Sequence, residues 1–226
     1  MFKDFIDATT KGDIVTALGT TTGQVVTFLL AALLLLFILV LSGKNKTQNI
    51  KIKELTYTSI AIAIATVLSM IKVLQLPQGG AITLCSMLFI VLVGYWYGVK
   101  QGMLAGLVYG LLQIALGGYI VHPVQILLDY PLAFAALGLS GLFSKTEGGL
   151  IKGLMIGAFG RFLCHFISGI VFFASYAPKD WDPMIYSAAY NISYIGVEVF
   201  LTAIIISIPA LDVAMKTIKR TALNEG

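Results

Sequence analysis

Long uncharged runs, cut by short polar breaks, are the dominant pattern along this chain. No Asp, Glu, Lys or Arg falls within Gln24–Gly43, Val73–Val99 or Gln101–Leu128. Apolar runs of about 18 residues or more are long enough to cross a bilayer as helices. The pattern predicts seven such segments, at 24–42, 54–74, 82–98, 101–118, 124–143, 150–174 and 185–208. The breaks carry turn chemistry, as in Leu76-Pro77-Gln78-Gly79-Gly80, Gly117-Gly118, Glu147-Gly148-Gly149 and Ala177-Pro178-Lys179-Asp180. Only Gly98-Val99-Lys100 separates the third segment from the fourth.

The first segment differs from the rest. Val25–Leu41 is almost wholly Leu, Ala, Phe, Ile and Val, has no polar face, and is followed by a basic linker. It reads as a lipid-facing helix added to a six-helix core. The expected fold is therefore an all-α polytopic membrane protein with seven transmembrane helices. Its expected parts are residues 1–53 (an outer N-terminal segment, the extra helix and the linker), the core 54–220, and a tail 221–226.

Composition agrees and narrows the function. The chain is 58% hydrophobic and 12% charged, against roughly 25% charged in an average soluble domain, and its mean hydropathy is +0.92. A soluble enzyme, a nucleic-acid binder and a disordered chain are excluded. The first 22 residues mix Lys3, Asp4, Asp7, Lys11 and Asp13 without an apolar stretch, so no cleavable leader is expected. The cysteines, Cys85 and Cys164, show no ligand or disulfide spacing and read as small buried apolar side chains.

Basic residues set the orientation. Alternate loops hold Lys44, Lys46, Lys51 and Lys53, then Lys100, then Lys145 and Lys152, then Lys216, Lys219 and Arg220. The other loops hold Lys72, no Lys or Arg across Tyr119–Pro123, and Lys179 beside Asp180 and Asp182. The positive-inside rule puts the first set in the cytoplasm, with the N-terminus outside and the C-terminus inside a cell membrane.

Two features of the core carry chemistry. Gly98, Gly102, Gly106 and Gly110 recur every four residues, as do Ala61 and Ala65, a spacing that lets helices approach closely. The glycines read as packing within the core. The alanines fit internal packing and docking to another membrane protein equally well.

The second feature is intramembrane polarity, which is costly and therefore marks function. Asp129 and Tyr130 lie in the fifth segment; Arg161, His165 and Gly169 share one face of the sixth; Tyr186, Asn191, Tyr194 and Glu198 run along the seventh. At about 1.5 Å per residue, Asp129 and Asn191 sit roughly 9–10 Å below the outer helix ends and His165 roughly 16 Å. Arg161 and Glu198 both fall at roughly 21–22 Å, which suggests a structural ion pair. Asp129, His165, Tyr186 and Asn191, with Tyr119 above, then form an outward pocket for a small polar ring system. Phe172, Phe173, Tyr176 and Trp181 are candidates to stack on it. No nucleophile motif, metal-ligand spacing or nucleotide-binding glycine loop accompanies these groups, so no catalytic, metal or cofactor site is expected.

These residues resemble a known family. Gln125-Ile-Leu-Leu-Asp129-Tyr130-Pro131-Leu-Ala-Phe134, Gly160-Arg161-Phe-Leu-Cys-His165-Phe-Ile-Ser-Gly169, Tyr176-Ala-Pro178 and Tyr186-Ser-Ala-Ala-Tyr190-Asn191 are similar to motifs of the thiamine-specific S-components (ThiT) of energy-coupling factor transporters. The resemblance implies a six-helix vitamin-binding subunit that works with a membrane coupling subunit, EcfT, and two cytoplasmic ATPases. It places ligand contacts on Tyr119, Asp129, Tyr130, His165, Gly169, Phe173, Tyr186 and Asn191, and a coupling-subunit contact on Ala61 and Ala65. Asp129 stands where the family typically has Glu, and Phe173 where it has a stacking Trp. Those departures keep another vitamin, or the hydroxymethylpyrimidine precursor of thiamine, open as the ligand, beside a membrane scaffold or enzyme. A cationic ligand is expected to bind less tightly as pH falls towards about 6.5, the ordinary histidine value.

Overall fold

The structure, a computed structural model, describes residues 2–42 and 52–223. Lys44, Lys46 and Lys51 of the expected basic linker lie outside the described residues. Two short helices, α1 (Phe2–Thr10) and α2 (Ile14–Gly19), precede α3 (Thr21–Ser42). The remainder comprises α4 (Ile52–Met70), a hairpin of β1 (Lys72–Gln75) and β2 (Ala81–Thr83), α5 (Met87–Tyr97), α6 (Val99–Ala115), α7 (Pro123–Phe143), α8 (Gly149–Phe172), α9 (Pro183–Ser207) and α10 (Pro209–Leu223).

Among the described residues, α4, α7, α8 and α9, of 19, 21, 24 and 25 residues, are long and apolar enough to cross a membrane. The expected count of seven comparable spans is not confirmed, because the third segment is shorter as a helix than its apolar run. Helix α5 has only 11 residues, a rise of roughly 16 Å against an apolar layer of about 30 Å. The expected ends of the segments at 54–74 and 82–98 form the β1–β2 hairpin instead. Its strands pair antiparallel, Leu74 with Ile82 and Gln75 with Ala81. The break at Pro77–Gly80 accounts for this: Gln78 (φ 57°) and Gly79 (φ 91°) turn the chain back on itself.

Helix α10 likewise lies outside the expected spans, and it carries helical structure past residue 220 to Leu223. Pro209 starts it after a turn at Ile208. Lys219 Nζ donates to the Ser144 carbonyl and sits 3.8 Å from the Tyr95 ring centre. Lys216 pairs with Asp212 at 2.6 Å. This end of the bundle lies opposite the hairpin.

The glycine row makes the tightest seam. A methyl group at Gly106 would sit 2.1 Å from the Phe134 carbonyl oxygen, and one at Gly110 2.6 Å from that of Tyr130. Helix α6 therefore lies directly on the backbone of α7, as small-residue rows allow. Gly98 has a separate task, turning the chain between α5 and α6 at φ 87°.

Ala61 and Ala65 correct a second expectation. They are 3% and 0% exposed, packed against Val93 and Ala105 in one case and the main core in the other. They serve packing within this chain and offer no surface to a second subunit. The outer face of α4 presents Leu55, Ile60, Ile64 and Val67.

Candidate functional site

A cavity of about 500 Å³ opens at the hairpin end of the bundle, between the hairpin, α6, α7, α8 and α9. Both helices that carry its central polar groups widen locally into a π turn, at Leu128–Leu132 in α7 and Ile192–Gly196 in α9. Pro131 lies inside the first. It cannot donate to the helix ladder, and the wide turn accommodates it. The bulge places Asp129 and Tyr130 on the cavity wall.

Asp129 is the centre of the site. It is 9% exposed, and its carboxylate is gripped on both oxygens. His165 Nδ1 lies 3.1 Å from Oδ1, and Gln125 Nε2 donates to Oδ2 at 2.7 Å. Gln125 also donates to the Tyr119 carbonyl (3.0 Å) and accepts from the Val121 amide (3.1 Å), tying the outer loop to the acid. The Tyr130 hydroxyl donates to the same Tyr119 carbonyl at 3.3 Å. A hydrogen bond with Tyr176 is the main cause that raises the Tyr119 phenol above its ordinary value.

Helix α9 closes on α8 at Gly169. A Cβ there would lie 2.1 Å from Ser187 Oγ, so the absent side chain admits Ser187 and Asn191. Ser187 donates to the Phe166 carbonyl at 2.8 Å. Asn191 donates to the His165 and Ser187 carbonyls (3.2 and 2.9 Å) and accepts from the Tyr194 hydroxyl (2.9 Å). Its amide is thus engaged by the protein, although the residue lines the cavity. Tyr190 holds the lid-like hairpin: its hydroxyl donates to the Pro77 carbonyl and accepts from the Gly80 amide at 3.0 Å. Tyr186 reaches Gln78 at 3.5 Å.

At the cavity floor, Arg161 Nη1 stands 3.6 Å from Glu198 Oε2, with side chains 8% and 0% exposed. The equal depths read from the sequence meet here. Glu198 Oε1 accepts from Thr83 (2.5 Å) and Ser86 (3.3 Å), so the pair also anchors the base of the hairpin.

The structure gathers Tyr119, Asp129, Tyr130, Arg161, His165, Gly169, Phe173, Tyr186 and Asn191 on one cavity wall or another. The aromatic expectation is corrected: of Phe172, Phe173, Tyr176 and Trp181, only Phe173 lines it. Phe172 stacks on His122 with centroids 5.0 Å apart, and Trp181 is half exposed outside. Sequence reasoning assigned no role to Gln78, Gln125, Ser168, Ser187 or Tyr190. Gln125 stands four residues before Asp129, hence on its face, which is the signal that would have found it.

Comparison with known proteins decides the family. The thiamine transporter protein family (Thia_YuaJ) matches residues 55–218. This chain belongs to the thiamine transporter family. It is similar to thiamine transporter ThiT of Bacillus subtilis, 40% identical over 175 residues, covering 70% of this chain and 91% of that protein. Thiamine transporter ThiT of Lacticaseibacillus paracasei is 34% identical over 128 residues, covering 49% and 64%. The solved structure of ThiT from Listeria monocytogenes superposes with a TM-score of 0.65 at 27% identity, covering 75% of this chain and 96% of that one. Membership of this family makes the chain a multi-pass membrane protein of a transporter family rather than an enzyme. The matched stretch begins after α3, so the N-terminal helices stand outside it.

Proposed function

We propose that this protein is the thiamine-binding subunit of an energy-coupling factor importer. It takes the vitamin from outside the cell into the cavity beneath the hairpin. The observation that carries the reading is the buried Asp129 carboxylate, held between His165 and Gln125 on an aromatic-walled cavity. Family membership supports thiamine as the ligand.

In this reading Asp129 accepts hydrogen bonds from the aminopyrimidine, and Tyr186 borders its edge. Asn191 fixes the wall behind it, because its amide is bound to His165, Ser187 and Tyr194. Phe173, Tyr119 and His165 flank the thiazolium. The N-terminus lies outside and the basic end, with α10, faces the cytoplasm, where EcfT and two ATPases drive release. The division into residues 1–53, 54–220 and 221–226 belongs to the same proposal, with 54–220 as the binding unit.

Calorimetric titration of the detergent-purified protein tests it. The expected result is submicromolar thiamine binding, weakened about tenfold or more in Asp129→Ala, the loss expected for a charged hydrogen bond. Folded wild type that ignores thiamine overturns the reading. Binding of hydroxymethylpyrimidine in its place would assign the site to the precursor, which the Asp129 cluster alone can recognise.

A further inference from the structure

We propose that Glu198, which acts through Arg161, sets the charge preference of the cavity for a monocation. This rests on the thiamine reading above and adds a residue that sets specificity.

Arg161, His165 and Ser168 lie on one face of α8 and all line the cavity. Arg161 is 7% exposed, and its Nε and Nη1 have no hydrogen-bond partner among the described residues. Its guanidinium lies 4.7 Å from the Phe134 ring centre. Left alone, this buried cation would repel any cationic ligand. The counter-charge is Glu198, whose Oε2 is 3.6 Å from Nη1 and likewise has no hydrogen-bond partner. Glu198 is 0% exposed and does not line the cavity, so it acts on a ligand only through charge.

The buried charges then sum simply. Asp129 and Glu198 bring carboxylates and Arg161 a guanidinium, while His165 is common to every variant compared below and drops out of the comparison. Lys72, the other cation on the lining, is exposed and screened by solvent. One negative charge remains, which one positive charge on a ligand neutralises. Glu198→Gln brings the sum to zero while its amide oxygen still accepts from Thr83 and Ser86. Arg161→Gln takes the sum to two negative charges.

The experiment measures affinity for thiamine and for its neutral isostere, in which carbon replaces the thiazolium nitrogen. Wild type, Glu198→Gln and Arg161→Gln are compared, each shown to be folded by thermal unfolding. The expected ratio favours the cation in wild type, falls about tenfold in Glu198→Gln and rises in Arg161→Gln, the scale of one charge acting over several ångströms of protein. Where one variant fails to fold, the other decides the question alone, because the two shifts have opposite signs. A ratio unchanged from wild type in the folded variants overturns the proposal and leaves the pair structural. Wild type that binds neither ligand overturns the thiamine reading and this proposal with it.

Discussion

Phe173 lies on the cavity wall with its ring centre 6.1 Å from that of Tyr119, the planes inclined at 34°. A cation between or beside such rings is held by their quadrupoles, and indole is the strongest partner. Phe173→Trp is therefore expected to tighten thiamine binding about two- to fivefold by calorimetry. Gln125 is the sharper case. It is 1% exposed and bridges Asp129 to the outer loop. Gln125→Leu leaves one buried carboxylate oxygen without its donor and is expected to weaken binding roughly tenfold. Asp129, His165 and Arg161 were legible in the sequence because a charge or imidazole inside an apolar run is too costly to be idle. Ser187 and Gln125 were not, since hydroxyls and amides in membrane helices also serve ordinary helix–helix contacts. Only the fold shows which neighbour each one meets.

Helices α6 and α7 illustrate how an element positions the site. The four-residue glycine spacing predicted close packing, and the structure supplies its consequence: Gly106 and Gly110 hold α6 on the backbone from Tyr130 to Phe134, directly after Asp129. Gly106→Ala forces a methyl against the Phe134 carbonyl. It is expected to lower the thermal unfolding midpoint, with a destabilisation of about 1–3 kcal/mol. The π turns were not legible, although Pro131 was visible inside an apparent helix. A proline can kink, end or widen a helix, and the packing partner selects among these. Similar ambiguity hid the hairpin, whose strands are short and continuous with apolar runs. At the N-terminus, Asp13 caps α2 by accepting from the Thr16 hydroxyl (2.6 Å) and amide (3.0 Å), and these bonds hold its carboxyl below the ordinary value of 3.8. The cap contributes above that ordinary value and is lost as pH falls through the lowered one. Amide protection in α2, taken relative to the intrinsic exchange rate at each pH, should fall there, and Asp13→Asn should abolish that acid dependence.

Taken as a whole, the molecule separates a polar cavity at one end from a basic rim at the other. Lys216 and Lys219 of α10 gather beside Asp212, Ser144 and Tyr95 at that rim. The orientation proposed from the loops predicts that a cysteine replacing Lys179 reacts with an impermeant maleimide on intact cells. One replacing Lys145 should react only after permeabilisation; the reverse pattern would invert the protein. Neither tryptophan lines the cavity, Trp96 being buried against Tyr57 and Trp181 half exposed outside. Ligand binding is thus expected to change tryptophan fluorescence little, while calorimetry reports it. The sequence by itself determined that the chain is a helical membrane protein, because uncharged runs of that length have no other stable solvent. It also singled out Asp129, His165, Arg161 and Glu198 as candidates, because each is costly in such a run. Tertiary structure alone decided that Ala61 and Ala65 turn inward, that Phe173 but not Trp181 reaches the cavity, and that Gln125 grips Asp129. Those outcomes depend on which helix faces fit together, and no single segment contains that information.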